Sequence, residues 1–572
     1  MTNTRKKHKK NHNNTNNYDL VIIGGGISGL YTLYKLSSAY PQLKIRLLES
    51  SNRYGGRIYS YKETIDKQEY VMDLGAGRLG YHQPLINKLI NELNLKTKII
   101  PIPNTKTYIE ITKKNNKTLV NDETVTKDYI MDKLNKFFFS PLVSKLGKSL
   151  KQGFYLYEFI AKYASVSLSR KSEAVFEYSS DLRELNAYDA LEYFKYDYNK
   201  ESKYYTLNGG LEQIIERLLV YIKRLPAYKS GKLSLENLSN VENIIYIKET
   251  QLYKIFVSDY SKSSSQIIYS NYVICALPKK SLEQLTIFKP LLRDLNSINS
   301  INLVRIYEIY NKDKESGSVW FKNVEKTITN NNVQFVIPVN PDNGLIMSSY
   351  SDCANARYWN NLLANKGLDY VKVKLNEKLN QLFSIYNIKV PLSKYIKMYF
   401  WDAGVACWKK NVDSDYLSIK LLNPYTCVFI IGENYSKYQA WIEGALMTSE
   451  SCIAKLAETL TNNNTSNNNN NTSNNITSNN ITRNNNTRKR GGNNKRNISL
   501  GEVKKHNKKN DAWTIIENKV YNISSWIPKH PGGEIIMQAV GKDATQLFLN
   551  NNHPSYVKKT ILPKYYVGNL QT

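Results

Sequence analysis

Histidine is scarce in this chain: there are 6 in 572 residues, and His82 is the only one between Tyr18 and Leu460. A long central segment with one imidazole is poorly equipped for nucleophile–histidine catalysis. His82 itself reads as a structural or surface residue. The 5 cysteines (Cys275, Cys353, Cys407, Cys427 and Cys452) are scattered and form no paired metal-ligand spacing. That argues against a thiolate metal site and fits a reducing compartment. No uninterrupted apolar run reaches the roughly 18–20 residues that span a bilayer. The N-terminus is basic and Asn-rich without the apolar stretch of a secretory signal. A soluble, intracellular chain, most simply cytoplasmic, is expected.

Acidic residues are also in deficit, 49 against 79 basic ones, for a net charge of +30. Much of the excess is local. Arg5, Lys6, Lys7, Lys9 and Lys10 sit in the first residues, and a second basic run lies between Arg483 and Lys509 with only Glu502 opposing it. Such runs suit nucleic acid or an acidic surface. No aromatic residue interleaves them before Trp513, so solvated tails are the simpler reading.

The length exceeds what one hydrophobic core usually organises. Residues 1–17 form a polar basic arm, and 18–460 carry regular apolar segments. Residues 461–497 are mostly Asn, Thr and Ser, too polar to offset the entropy of ordering, and are expected to be a flexible linker. As a random coil of that length it would reach roughly 35 Å. Apolar and turn signals return over 498–572, enough for one small domain.

Leu20-Val21-Ile22-Ile23 reads as a strand buried on both faces. It runs into Gly24-Gly25-Gly26-Ile27-Ser28-Gly29 and then the helical pattern Leu30, Leu33, Leu36. Glycines at this spacing permit a tight turn, approach of a pyrophosphate, and close helix–strand packing. The helix N-terminus then offers free N–H groups to phosphate. A second strand, Ile45 to Leu48, ends at Glu49, where a carboxylate can accept hydrogen bonds from ribose.

The segment Glu49-Ser50-Ser51-Asn52-Arg53-Tyr54-Gly55-Gly56-Arg57 resembles the second flavin signature of the flavin-containing amine oxidases. Further similarities follow in order: Asp73-Leu74-Gly75-Ala76-Gly77-Arg78, Leu207 to Leu211, Val241 to Ile244, Val273 to Pro278, Ile431-Gly432-Glu433, and Trp441-Ile442-Glu443-Gly444-Ala445. The resemblance implies an α/β fold. It has a FAD-binding, Rossmann-like part (about 18–95, 205–290 and 395–460) and a partly helical substrate part (about 96–204 and 291–394). FAD is then expected against Gly24, Gly26, Ile27, Ser28, Gly29, Glu49, Ser50, Arg53, Gly56, Arg57, Gly75, Ala76, Gly77, Arg78, Val241, Gly432, Glu433, Trp441 and Ile442. The Asp73–Arg78 segment is expected as a strand over the flavin ring.

For the substrate, the resemblance matches Arg78 to an arginine that holds a carboxylate in L-amino-acid oxidases. Tyr350 is similar to the tyrosine that shares this carboxylate, and Trp441 to an aromatic wall beside the flavin. Trp401 and Trp408 are candidates for another wall, and Cys407 for a buried free thiol. The sequence departs from the family twice. Thr448-Ser449 stand where a small residue and glycine are usual. Arg305 stands where many members place a lysine, and an arginine is never neutral in practice.

His530 and His553 lie 23 positions apart, with His530-Pro531-Gly532-Gly533 at one end and the helical stretch Glu534 to Val540 between them. With Trp513 to Ile516, Val520 to Ile523 and Tyr566-Val567-Gly568, this resembles cytochrome b5, a small α+β fold. The resemblance implies haem b held axially by His530 and His553, a crevice lined by Ile535, Ile536, Leu547 and Phe548, and a closing turn at Tyr566–Gly568. His506 reads as structural. The function implied is FAD-dependent oxidation of a C–N bond in an amine or L-amino acid, with electrons passed to the haem. A flavin-dependent desaturase or dehydrogenase of an apolar substrate, and a non-catalytic flavin and haem carrier, are the alternatives.

Overall fold

The computed structural model describes residues 16–114, 117–173, 176, 178–197, 203–471, 497–527, 533–550, 557 and 561–571. The chain divides into two compact units, Met1–Thr472 and Ser473–Thr572.

The larger unit holds two seven-stranded sheets. In the first, Asn17–Ile23 lies between Ile45–Leu48 and Ser264–Cys275, and pairs parallel with both. Its central residues, Val21 and Ile22, are fully buried, as expected for a strand covered on both faces. Leu233–Glu236 extends the parallel run at one edge, and Val428–Ile430 pairs parallel with Ser264–Cys275. Ser239–Ile247 and Leu252–Asp259 complete the sheet as antiparallel strands. The helix Ile27–Ala39 leaves the end of Asn17–Ile23 and buries Leu30, Leu33 and Leu36.

The second sheet is largely antiparallel and centres on Ile298–Ile309, flanked by Leu345–Asp352 and Tyr395–Trp408. This register sets Arg305 directly opposite Tyr350 on one side and Tyr399 on the other. Between the sheets in sequence lie short helices from Thr124–Phe138 to Ala187–Asp197. Their buried residues Leu134, Phe138, Phe159 and Phe194 share a core with Val273, Cys275 and Trp408 of the sheets.

In this unit two expectations change. Of Asp73–Arg78 only Asp73 lies in a strand: Gln68–Asp73 ends there, and Ala76 N–H donates to the Arg57 carbonyl at 2.9 Å. The segment crosses between sheets, which breaks the ladder. The helix starting at Ile442 runs to Asn471, beyond residue 460. Once a helix is nucleated by buried turns, continuing it through polar residues costs little per residue.

The smaller unit contains a five-stranded sheet built on the hairpin Asp511–Ile516 and Lys519–Asn522. Tyr566–Leu570 is a strand rather than a turn. It pairs with Lys519–Asn522 and Asn497–Ile498, satisfying edge groups that would otherwise be open. The stretch expected as helix forms 3-10 turns over Gly533–Ala539. No helix among the described residues is long and apolar enough to cross a membrane.

Candidate active site

One cavity of about 1200 Å³ runs through the larger unit. At one end it is lined by Gly24, Gly26, Ile27, Ser28, Glu49, Ser50, Arg53, Gly56 and Arg57. Three glycines of the first turn do three different things. Gly24 has φ +107°, a conformation that a side chain disfavours. A Cβ on Gly29 would overlap the Gly24 carbonyl oxygen, so this glycine packs the helix against the strand. A Cβ on Gly26 would meet nothing within 4 Å, because it faces the cavity. The Glu49 carboxylate accepts from Gly25 N–H at 2.7 Å and from Ser51 N–H and Oγ at 2.8 and 2.7 Å, which holds the strand end against the glycine turn.

Arg53 donates to the Gly56 and Ile58 carbonyls (2.5 and 3.2 Å) and so shapes its own loop. Arg57 donates to the Gly404 carbonyl at 3.1 Å and pairs with Glu433. Burial pushes the Glu433 carboxyl above the usual range, and Arg57 opposes that shift. Oε2 of Glu433 is buried without a hydrogen-bond partner among the described residues, a polar atom suited to a hydroxyl-bearing ligand. Thr448, at the position of the family departure, accepts from Gly432 N–H at 2.9 Å. Val241 does not line the cavity. A bulge between Val241 and Asn243 disturbs its strand, and its side chain packs on the core.

Farther along, Gly75, Ala76, Gly77, Gly432, Trp441 and Ile442 line the same cavity, with Arg78, Arg305 and Tyr350. The Trp441 ring stacks on Tyr204, with centroids 5.7 Å apart and planes 7° apart. The Arg78 guanidinium lies 4.8 Å from the Tyr204 ring centre and 5.3 Å from that of Trp441. Trp441 Nε1 donates to the Tyr193 hydroxyl at 2.7 Å, which fixes the indole from the helical segment. Tyr350 does not meet Arg78. It lies under Arg305, 4.4 Å from ring centre to guanidinium, because cross-strand register makes the two residues neighbours.

Trp401 lines the cavity and donates to the Leu74 carbonyl at 2.7 Å. Trp408 does not: it is fully buried and donates to the Ser436 carbonyl at 2.9 Å. Cys407 is buried beside it, and burial pushes its thiol well above the ordinary value. His82 lies 3.0 Å from the Tyr438 hydroxyl, outside the cavity lining. Tyr193, Tyr204 and Tyr178 are site residues that sequence reasoning missed, since 44 tyrosines in the chain make any one unremarkable. The position of Tyr204 just before the Leu207–Leu211 turn was the only available signal.

In the smaller unit, Trp526, Ile536, Met537, Val540 and Phe548 pack on the cluster of Ala512, Ile516, Tyr521, Ile523, Ile527 and Leu562. This apolar wall fits a haem macrocycle. His530 and His553 lie outside the described residues, as does the side chain of Ile535. His506 stacks on Trp513 at 3.8 Å and its Nδ1 lies 2.7 Å from Asp511, a structural placement.

In the larger unit a glycine-lined cradle is continuous with an aromatic, arginine-bearing pocket, and the smaller unit by itself carries an apolar wall; these features fit an FAD-dependent oxidoreductase that also carries a haem-binding domain. Family models agree. Residues 27–278 match the model of the flavin containing amine oxidoreductases, and residues 499–571 that of the cytochrome b5-like heme/steroid binding domains.

Two solved structures share the fold of the larger unit. A protein from Exiguobacterium sp. 255-15 named for protoporphyrinogen oxidase aligns with TM-score 0.55 at 14% identity, covering 77% of this chain and 98% of that one. A redesigned putrescine oxidase aligns with TM-score 0.57 at 14% identity, covering 77% and 99%.

Curated proteins match over short segments of the chain. An acyl-lipid (8-3)-desaturase of Physcomitrium patens is 47% identical over 75 residues, 13% of this chain and 15% of that protein. Cytochrome b5 of Oryza sativa subsp. japonica is 44% identical over 80 residues, 14% and 58%. L-lactate dehydrogenase (cytochrome) of Saccharomyces cerevisiae is 42% identical over 79 residues, 14% and 13%. The chain thus spans only part of the length of each.

Proposed function

We propose that this protein oxidises a C–N bond of an amine or L-amino acid and delivers the electrons to its own haem-binding unit. The observation that carries the reading is the continuity of one cavity. Its glycine end suits a dinucleotide, and its far end is walled by Trp441, Tyr204 and Arg78. The substrate amine becomes an imine by losing two electrons and two protons, and water then converts the imine to a carbonyl compound and ammonia. Bound FAD supplies the two-electron acceptor for that change, and bound haem supplies a one-electron carrier.

The chain's own residues bind and orient. Trp441, held by Tyr193, and Tyr204 form a flat apolar wall that excludes water from the reacting carbon. Gly75 and Gly77 line the cavity, and their lack of a side chain leaves room for the Arg57 carbonyl and the Arg305 guanidinium. Arg57 and Glu433 pair with each other within the cavity lining. Among the described residues no histidine lines the cavity, and loss of hydride from an uncharged amine needs no imidazole base.

Purified protein, loaded with both cofactors, should be mixed anaerobically with L-amino acids and with diamines. The expected result is bleaching of the flavin band followed by the reduced-haem spectrum, at equal rates over a range of protein concentrations. Haem reduction only on addition of a separate reductase would refute delivery within the chain. Bleaching by an apolar hydrocarbon substrate but by no amine would replace the C–N assignment with dehydrogenation.

A further inference from the structure

Arg305 stands on the central strand of the second sheet with only 7% of its surface exposed, and that surface lies on the cavity. Its surroundings are built for it. Tyr350 and Tyr399 are its cross-strand partners on either side, and Tyr350 presents its ring face 4.4 Å from the guanidinium. Nη1 donates to the Asp73 carbonyl at 2.7 Å, and the Tyr307 hydroxyl donates to the same oxygen at 2.8 Å. A Cβ on Gly77 would come within 2.5 Å of Nη1, so the glycine there leaves room for this side chain.

Among the described residues the charge has no ion-pair partner. Among the described residues no carboxylate lies within 4.0 Å of the guanidinium. The nearest acid, Asp73, directs its carboxylate to the Ser60 hydroxyl and to Leu211 N–H at 3.0 Å. Burial pushes the Asp73 carboxyl upward, which weakens it further as a counter-charge. Burial also works against the charged form of Arg305. The phenol oxygens of Tyr350 and Tyr307 and the Asp73 carboxyl nevertheless hold it protonated, above the usual arginine value. A buried cation with a cavity on one side and no ion pair among the described residues is destabilising until an anion enters.

We propose that Arg305, assisted by Tyr350, is the carboxylate-binding group of the cavity, so that the amine oxidised here carries a carboxylate. The inference rests on the reading above and names the substrate class for that site. A planar guanidinium offers two parallel N–H donors to two coplanar oxygens, the match that makes arginine selective for carboxylates. Arg78 is placed differently. It lies against the faces of Tyr204 and Trp441, the wall along which the rest of the substrate would run. The assignment therefore moves the carboxylate from Arg78 to Arg305 and keeps Tyr350 as its companion.

Benzoate, benzamide and benzylamine serve as probes of the FAD-loaded full chain, titrated while the visible flavin band is recorded. Benzoate is expected to perturb the band saturably, with benzamide at least tenfold weaker. Arg305→Gln should weaken benzoate at least tenfold, and Arg305→Lys should recover part of the loss. If Arg305→Gln does not fold, Tyr350→Phe provides the test, with an expected loss of three- to tenfold. Undiminished benzoate binding in both Arg305→Gln and Tyr350→Phe would overturn the proposal. So would loss of binding on Arg78→Gln with Arg305→Gln unaffected, or saturable binding of benzylamine alone. Calorimetry of benzoate with the apoprotein reads the carboxylate site without flavin. A colourless protein that still binds benzoate defeats the oxidoreductase reading and not the site.

Discussion

Trp441 and Tyr204 stack nearly parallel, 5.7 Å between ring centres, and together they carry the guanidinium of Arg78. Each ring contributes on the order of 1 kcal/mol to holding a cation at a partly desolvated site. Trp441→Leu keeps an apolar wall but removes one ring. It should raise KM for the amine about fivefold with FAD content unchanged, as checked by steady-state kinetics and the flavin absorbance ratio. A fall in kcat alone would place the indole in the chemical step rather than in binding.

Two neighbouring glycines should fail in different ways. Gly29→Ala drives a methyl into the Gly24 carbonyl and should destabilise the apoprotein by about 2–3 kcal/mol. Gly26 has φ −72°, which alanine tolerates, and its added methyl would enter only the cavity. Gly26→Ala should leave the Tm of the apoprotein unchanged and weaken FAD retention at least tenfold. Equal Tm losses in the two variants would contradict the assignment of Gly26 to the cofactor face.

Glu308 is fully buried and accepts hydrogen bonds from the Tyr310 hydroxyl and the Ser393 hydroxyl, both at 2.7 Å. Burial raises its carboxyl above the ordinary value. A group whose folded value is raised contributes its full stability below the unfolded value and loses it as pH rises toward the folded value. Glu308→Gln removes that titration. The variant should gain on the native protein in Tm as pH increases from about 4.5, and thermal melts at stepped pH would show it.

Lys437 Nζ meets Asp189 at 2.8 Å, Asp415 at 2.7 Å and the Ser414 hydroxyl at 2.9 Å. Asp189 is almost fully buried, so losing the lysine leaves a carboxylate without its countercharge. Lys437→Met should cost about 2 kcal/mol, below the range for fully buried pairs because Lys437 is 29% exposed. Denaturant titration measures the loss. Asp189 lies on the same helix as Tyr193 (Ala187–Asp197), so weaker positioning of Trp441 should accompany it.

In the smaller unit, His506→Ala removes a ring stacked on Trp513 but no proposed iron ligand. It should lower Tm while the haem spectrum keeps its band positions. His530→Ala and His553→Ala should each change the spectrum itself.

The glycine turn, its strand and helix, and the carboxylate at residue 49 were legible in the sequence because they depend on contacts within about thirty residues and on local backbone rules. The two-unit organisation was legible too, since a polar Asn-rich stretch cannot supply a core. Tyr566–Leu570 was misread as a turn because its role depends on the open edge of a hairpin formed far upstream. Trp401 and Trp408 looked equivalent. They lie on one strand, Tyr395–Trp408, at an odd spacing, so alternation turns one to the cavity and the other to the core.

Local sequence thus determined the strand, glycine turn and helix near the amino end, because short-range hydrogen bonding and turn geometry impose those features directly, whereas the expectation of haem came from the resemblance to cytochrome b5. The tertiary structure alone decided which arginine faces which tyrosine. Strand register, set by packing over the whole second sheet, puts Arg305 on Tyr350 and leaves Arg78 to Tyr204 and Trp441.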